Sequence, residues 1–317
     1  MAEYDIFNGD ADGICALHQL RLSEPSDRNL ITGVKRDIKL LNKVVFAQND
    51  IVSVFDISID SNIKALKNGL KNGALFEWFD HHSSLSAPDH PNFRTYLTSE
   101  QGVCSSLMVD KYLKGRYRSW ALVACYGDNF QAKAQSLGTA MGLSANKLEA
   151  IRVLGEIINY NSYGESIEDL YIAPEDLYRQ IQNYCNPFDF LASEKKIVTS
   201  LRNQMQEDFQ RGLDASSERI KNLVITRLPN KKWARRISGL LANRLIEKDN
   251  KSAQLVLLKR DHDYTVSIRK PTNHIFPASE IARKFPSGGG RFEAAGINSL
   301  RCHDIQKLID EIIYHYK

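Results

Sequence analysis

Asp80-His81-His82 sets three metal-competent side chains in a row, directly after the largely apolar run Ala74-Leu75-Phe76-Glu77-Trp78-Phe79. A buried strand ending in one carboxylate and two imidazoles delivers all three to one edge of a sheet. Other acidic segments follow apolar runs in the same way: Asp10 and Asp12 in Asn8-Gly9-Asp10-Ala11-Asp12-Gly13, Asp56 after Val52-Ser53-Val54-Phe55, and Asp128 in Tyr126-Gly127-Asp128-Asn129. Taken singly, each has a plainer reading as an Asx turn, a helix N-cap or a solvated strand end. Taken together they point to one polar cluster. Mixed carboxylate and imidazole donors suit Mn²⁺ or a similar divalent ion better than a structural zinc, which favours thiolates or more histidines. Enough carboxylates for two ions, one of them shared, suggest a two-metal site. Such a pair, about 3.5 to 4 Å apart, activates water and stabilises both oxygens of an in-line phosphoryl displacement.

These residues need a sheet to gather them. Ile6-Phe7, Lys43 to Phe46, Ile51 to Phe55 and Leu75 to Phe79 read as strands. Ile14 to Leu22, Ser61 to Leu70, Gly102 to Leu113 and Trp120 to Cys125 read as helices. Strands alternating with helices predict a parallel sheet with helical crossovers, whose ligands bind beyond the carboxyl ends of the strands. From Gln131 to Ile220 the pattern is mainly helical, and Ser193 to Arg211 has no Gly or Pro, as a connecting helix would. Strand patterns return at Asn222 to Arg227, Ala253 to Leu258 and Tyr264 to Arg269, with a helix from Ile237 to Glu247 and a closing helix from Asp304 to Tyr316. The expected architecture is α/β throughout: a parallel-sheet domain over 1–190, a helical linker over 191–214 and a smaller α/β domain over 215–317.

Composition excludes several classes. A chain of 317 residues with 43% hydrophobic and 25% charged residues is an ordinary globular one. A net charge of +4 does not make a polycation, so nucleic acid would have to be met by a local basic surface. The five cysteines form no CxxC pair, which supports neither a disulfide framework nor a thiolate zinc site. No apolar run approaches the roughly 18 to 20 residues that span a bilayer. The expectation is a cytoplasmic protein without a membrane partner.

The ordered set Asp-x-Asp-Gly, Asp, Asp-His-His and Gly-Asp resembles the DHH phosphoesterase superfamily, and Phe7 to Gly13 is most similar to the first motif of RecJ-type members. In the second half, Ser287-Gly288-Gly289-Gly290-Arg291-Phe292-Glu293-Ala294-Ala295-Gly296 resembles the Gly-Gly-Gly-His-x-x-Ala-Ala-Gly motif of the family's substrate-binding domain. The resemblance covers about residues 4 to 130 and 220 to 300. It implies Asp10, Asp12, Asp56, His81 and Asp128 as metal ligands, with Asp56 as the bridge and two ions, Mn²⁺ foremost. It implies His82 beside the substrate phosphate as a donor, with Asp80 orienting the histidines. It implies Arg269, Gly288, Gly289, Gly290, Arg291 and His274 as the substrate grip. Two positions depart from the pattern. Ile6 stands where many members carry a ligand histidine, and Asn8 could offer an amide oxygen instead. Arg291 stands where histidine is usual; it can grip a phosphate bidentately but cannot serve as an acid or base near neutral pH.

The implied function is metal-dependent hydrolysis of a phosphodiester in a short oligonucleotide, a linear dinucleotide or a small nucleotide. Alternatives are a single-strand-specific exonuclease of RecJ type and a non-catalytic nucleotide sensor with a weakened metal site. The oligomeric state is open, a homodimer included. Other features have bland readings. Lys231-Lys232-Trp233-Ala234-Arg235-Arg236 reads as a solvated basic loop with a partly buried Trp, or else as a surface that tracks a nucleic-acid backbone and stacks one base; Lys35-Arg36 reads as surface, His18 as a packed helix residue, and the cysteines as small core hydrophobes.

Overall fold

The structure, a computed structural model, describes residues 1–82, 84, 87–98, 100 and 102–317. They form two compact units, Met1–Asn203 and Gln204–Lys317, and the division falls within one helix, Lys195–Leu213.

In the first unit two helices are interspersed among five parallel strands: β1 (Glu3–Phe7), α1 (Ala11–Ser23), β2 (Asn29–Ile31), β3 (Ile51–Phe55), α2 (Ile59–Lys71), β4 (Leu75–Asp80) and β5 (Phe93–Leu97). Their order in the sheet is β2-β1-β3-β4-β5. The chain therefore winds one way from β1 to β2 and the other way from β3 onward. The reversal lies between β1 and β3, where open α/β sheets leave a crevice beyond the strand ends. Helices α3 (Ser105–Tyr112), α4 (Arg118–Gly127), α5 (Gln131–Ala140), α6 (Ala145–Asn161), α7 (Pro174–Ile181), α8 (Pro187–Ser193) and α9 (Lys195–Leu213) follow.

The alternation of side chains fixes the register. Ile6, Val54 and Trp78 lie side by side on the face that packs on Leu66 and Leu70 of α2. Phe7, Phe55 and Phe79 form the next row, on the opposite face, with Phe55 and Phe79 stacked at 5.7 Å and Phe79 on Tyr96 at 4.4 Å. α1 is buried from Ala11 to Arg21, so its polar members all need partners. His18 Nε2 lies 2.9 Å from the Tyr184 carbonyl, Gln19 donates to Ser106 Oγ at 2.7 Å, and Arg21 pairs with Asp5 at 2.8 Å. The sequence misleads at Lys43 to Phe46. That stretch holds the end of a short 3-10 turn, Leu40–Lys43, and no strand; β2 is Asn29–Ile31. Phe46 docks edge-on against Tyr4 and Phe76 and Val44 packs on the same core, while Val45 stays 91% exposed, so the stretch attaches through side chains and not through a ladder.

The second unit holds β6 (Ser217–Ile220), β7 (Leu223–Leu228), α10 (Lys232–Lys248), β8 (Ala253–Lys259), β9 (Asp263–Arg269), α11 (Ala278–Ala282), β10 (Gly288–Gly290), β11 (Ala294–Arg301) and α12 (Ile305–His315). Its mixed sheet runs β10-β11-β9-β8-β7-β6, parallel only between β7 and β8, which α10 connects. Ala253, Leu255 and Leu257 of β8 join a core with Leu308 and Ile312 of α12; the intervening Gln254, Val256 and Leu258 are also buried. The expected α/β architecture is the one observed.

Candidate metal centre

One residue beyond the aromatic row the side chains turn polar. Asn8 N–H donates to the Phe55 carbonyl at 3.2 Å and Asp56 N–H to the Phe79 carbonyl at 2.9 Å, so the ladder carries Asn8, Asp56 and Asp80 to the sheet edge in step. Asn8 and Asp56 flank the reversal point. Asp56 has φ 56°, in the left-handed region that costs a non-glycine residue free energy.

Asp10 caps α1. Its Oδ1 accepts from Asp12 N–H and Gly13 N–H, both at 3.0 Å. A Cβ on Gly13 would meet the Asn8 carbonyl at 2.2 Å, which is why the tight turn needs glycine there. Asp10 thus meets the plain capping reading, and its second oxygen, Oδ2, turns to Lys35. Asp12 accepts from the first backbone N–H groups of α3, Ser105 and Ser106, at 2.7 Å each. Ser105 Oγ donates to Asp56 Oδ1 at 3.3 Å. Asp128, at the C-terminal end of α4, completes the group because α4 packs on α1.

His81 Nε2 lies 3.4 Å from Asp56 Oδ1 and 3.7 Å from Asp128 Oδ2. Two trios, Asp56-His81-His82 and Asp12-His81-Asp128, each bring one ligand atom per residue within 4.8 Å of one another. That span fits a single ion's coordination shell once the ligands close on it. Asp80 Oδ1 lies 2.6 Å from His82 Nδ1. Asp80 Oδ2 and Asn8 Oδ1 are buried acceptors that no donor among the described residues meets.

The electrostatics ask for a cation. Asp10, Asp12, Asp56 and Asp80 are each no more than 3% exposed. Burial first, and then the charges of Asp128 and Asp10, push the Asp12 carboxyl up to about 6. Burial and the charges of Asp10, Asp12, Asp128 and Asp80 push Asp56 well above the usual carboxylate range. Asp10 goes the other way: burial alone would raise it, but the Lys35 ammonium beside it holds it low. Burial alone would lower His82, yet the Asp80 carboxylate raises it. Carboxylate and imidazole donors of this kind fit a divalent ion of the manganese type.

Several contributors are not legible as site residues in the sequence. Ser105 and Ser106 look like any helix start. Asn159, near the end of α6, and Lys35 carry no local signal. Lys35 reads as surface but turns inward: its Nζ lies 2.5 Å from Asp10 Oδ2 and 3.1 Å from both Asp128 Oδ1 and Asn159 Oδ1. The Lys35 ammonium is stabilised far above its usual range; burial opposes this, and Asp10 and Asp128 outweigh it.

In the second unit, the glycine motif is an edge hairpin in place of an irregular turn. Gly288, Gly289 and Gly290 oppose Ile297, Gly296 and Ala295, and Arg291 N–H donates to the Ala294 carbonyl at 2.8 Å. Gly290 has φ 145°, and a Cβ on Gly288 would meet the Ala282 carbonyl at 1.9 Å. Arg269 stands opposite Ala294 of the same motif, and its guanidinium donates to Asn243 Oδ1 at 2.7 Å and to the Gly239 carbonyl at 3.1 Å. Arg291 is exposed, and His274 packs edge-on against Tyr316 at 5.3 Å. The basic run at Lys231 opens α10, and its Arg236 is buried on Asp208 at 2.8 Å, so the solvated-loop reading fails there. Cys15, Cys104 and Cys125 are buried as expected, but Cys185 and Cys302 are exposed. Among the described residues, no helix is long and apolar enough to cross a membrane.

Residues 221–315 match the DHHA1 domain. No curated protein matches the chain. Among solved structures, exonuclease RecJ bound to manganese is 15% identical, with a TM-score of 0.65 over 99% of this chain and 90% of that one. The DHH domain of a member of a ribosomal-protein family is 13% identical, with a TM-score of 0.66 over 99% and 86%. PggH, a pGpG-specific phosphodiesterase from Vibrio cholerae, is 14% identical, with a TM-score of 0.61 over 100% and 99%. At such identities the likeness is one of fold. The match over 221–315 is to the DHHA1 domain, and the fold of the chain is the one it shares with these structures.

Proposed function

We propose that the protein is a divalent-metal-dependent hydrolase of phosphodiesters in short nucleotide-containing substrates. The observation that carries this reading is the convergence of Asp12, Asp56, His81 and Asp128 beyond the strand ends at the sheet's reversal point. A divalent ion held there would supply a hydroxide near neutral pH and neutralise charge on phosphate oxygens. On this reading His82, held by Asp80, would donate a proton or hydrogen bond to the leaving oxygen. In the second unit, Arg291 and the open edge at Gly289, where a Cβ would meet nothing within 4 Å, offer a guanidinium and close backbone approach for a phosphate group.

Short substrates are favoured by the modest net charge of +4 and by the match along the whole of PggH, a phosphodiesterase specific for pGpG. The test is hydrolysis of a linear dinucleotide beside longer single-stranded RNA and DNA, with Mn²⁺ or chelator, for the wild type and His81→Ala. Metal-dependent cleavage of the dinucleotide, lost in His81→Ala, is expected. Absence of any metal-dependent turnover would leave a nucleotide-binding protein. A log-log salt dependence of binding steeper than about 4 would move the assignment to a RecJ-type exonuclease making many phosphate contacts.

A further inference from the structure

The two sides of the acidic cluster are not alike. On one side Asp12, His81 and Asp128 form one ligand trio and Asp56, His81 and His82 the other, with His81 common to both. Asp10 belongs to neither trio. One of its oxygens is spent on the N-terminus of α1, and the other meets the Lys35 ammonium. That ammonium is built in. It has three oxygen acceptors, on Asp10, Asp128 and Asn159. Its backbone is tied on both sides, Lys35 N–H donating to the Ser162 carbonyl at 2.9 Å and the Lys35 carbonyl accepting from Asn8 Nδ2 at 3.3 Å. On the strand that leads into Asp10, Ile6 is fully buried in the apolar core beside Val54 and offers no ligand; Asn8, just beyond it, ties its Nδ2 to the Lys35 carbonyl and leaves only its Oδ1 unmet among the described residues. An ion bound to the outer oxygen of Asp10 would sit against the ammonium, and like charges at such range repel strongly in a partly desolvated site.

We propose that this chain binds one divalent ion, at Asp12, Asp56, His81 and Asp128, and that the Lys35 ammonium stands in for a second ion at Asp10. This revises the two-ion expectation drawn from the motifs. It deepens the hydrolase reading, on which it rests for the ion's role. Lys35 then acts as a permanent monovalent partner to the exchangeable ion. It fixes Asp10 and one oxygen of Asp128, leaving the other Asp128 oxygen, 3.7 Å from His81 Nε2, for the ion.

The test is the stoichiometry of Mn²⁺ on the chelator-treated full-length chain, read from the electron paramagnetic resonance signal of free Mn²⁺ and checked by elemental analysis. One equivalent per chain is expected for the wild type. Lys35→Met, and Lys35→Gln as a polar replacement, should admit a second equivalent, because Asp10 and Asp128 lose their cation. Two wild-type equivalents with affinities within tenfold of each other would overturn the proposal. So would a stoichiometry of one that neither Lys35 variant changes. Should neither variant fold, the wild-type count still decides. The assay reads ions and not turnover. One ion without hydrolysis would remove the hydrolase reading and keep Lys35 in its role; hydrolysis with two ions would do the reverse.

Discussion

Asp80 and His82 form a buried-to-exposed pair: the aspartate is fully buried, the imidazole is 45% exposed, and Oδ1 and Nδ1 are 2.6 Å apart. The carboxylate accepts the Nδ1 proton, fixes the tautomer and leaves Nε2 as the working nitrogen. It also raises the His82 pKa against the effect of burial. His82 is then protonated at pH values above its ordinary value of about 6.5 and loses that proton only as pH rises through the raised value. Asp80→Asn should lower turnover about 10- to 100-fold, as removal of such supporting carboxylates does. The alkaline limb of the pH–rate profile should move to lower pH. Mn²⁺ affinity should stay within a few-fold, since Asp80 belongs to neither ligand trio. Loss of metal binding in this variant would make Asp80 a ligand and reverse its assignment.

Asp56 carries two strains at once, a left-handed backbone at φ 56° and a carboxyl that burial and neighbouring charge drive toward its neutral form. Asparagine tolerates that backbone better and removes the charge. In the metal-free protein Asp56→Asn should raise the melting temperature by a few degrees, at about 2 to 4 °C per kcal/mol for a chain of this size. It should also abolish the wild type's response to Mn²⁺, which at a hundredfold excess over Kd is worth about 2.7 kcal/mol. Scanning calorimetry of both proteins with and without Mn²⁺ gives the answer. A less stable metal-free variant would mean that strain and repulsion at Asp56 are relieved by other means.

How far the site is legible in the sequence follows from periodicity. Asp10, Asp56 and Asp80 each follow an apolar run, and a parallel ladder must carry such ends to one edge; the strands at Ile51 to Phe55 and Leu75 to Phe79 are visible for that reason. Lys35 is not, because a lysine after a strand normally reaches solvent and its inward turn depends on Ser162 and Asn159, more than a hundred residues away in sequence. β2 escapes for a related reason: Asn29-Leu30-Ile31 is too short to alternate, while the longer Lys43 to Phe46 run alternates poorly and forms no strand. In the second unit the glycine run looks like a loop. Its pairing opposite Ala295 to Ile297 appears only when β11 lies beside it.

The Asp5–Arg21 pair holds the start of the parallel sheet to α1. Arg21 Nε and Nη2 reach the two Asp5 oxygens at 2.8 and 2.9 Å, with Ser53 Oγ accepting at 3.2 Å. Both side chains are at most 6% exposed, so neither charge can be left without its partner. Asp5→Leu should cost about 3 to 5 kcal/mol in urea unfolding, because the buried guanidinium is stranded. The double variant Asp5→Leu/Arg21→Met should recover most of that loss. Additive losses in the double variant would show that packing, and not the stranded charge, sets the cost.

His18 weakens the first unit in acid. Its ring is buried against Trp120 at 4.8 Å; Nε2 donates to the Tyr184 carbonyl, and Nδ1 meets no donor or acceptor among the described residues. Burial drives its pKa down to about 4, so the folded state favours the neutral ring. The folded value lies below the unfolded one of about 6.5, so the unfolded chain takes up the proton first as pH falls. The contribution is complete above about pH 6.5 and is lost progressively toward pH 4, reaching about 3 kcal/mol. Asp12 acts with the opposite sign. Its carboxyl is raised to about 6, so in the metal-free protein its contribution is present at low pH and lost as pH rises through that value. Asp10, Asp56 and His82 are shifted as well, so the net profile mixes several contributions and a single curve would not separate them. His18→Gln retains a donor for the Tyr184 carbonyl and leaves the Asp12 contribution common to both proteins. The difference between wild-type and His18→Gln stability, measured by urea unfolding from pH 7.5 to 4, should shrink or change sign by about 3 kcal/mol. Parallel curves would show that His18 is already charged in the folded protein, which would require a partner for Nδ1.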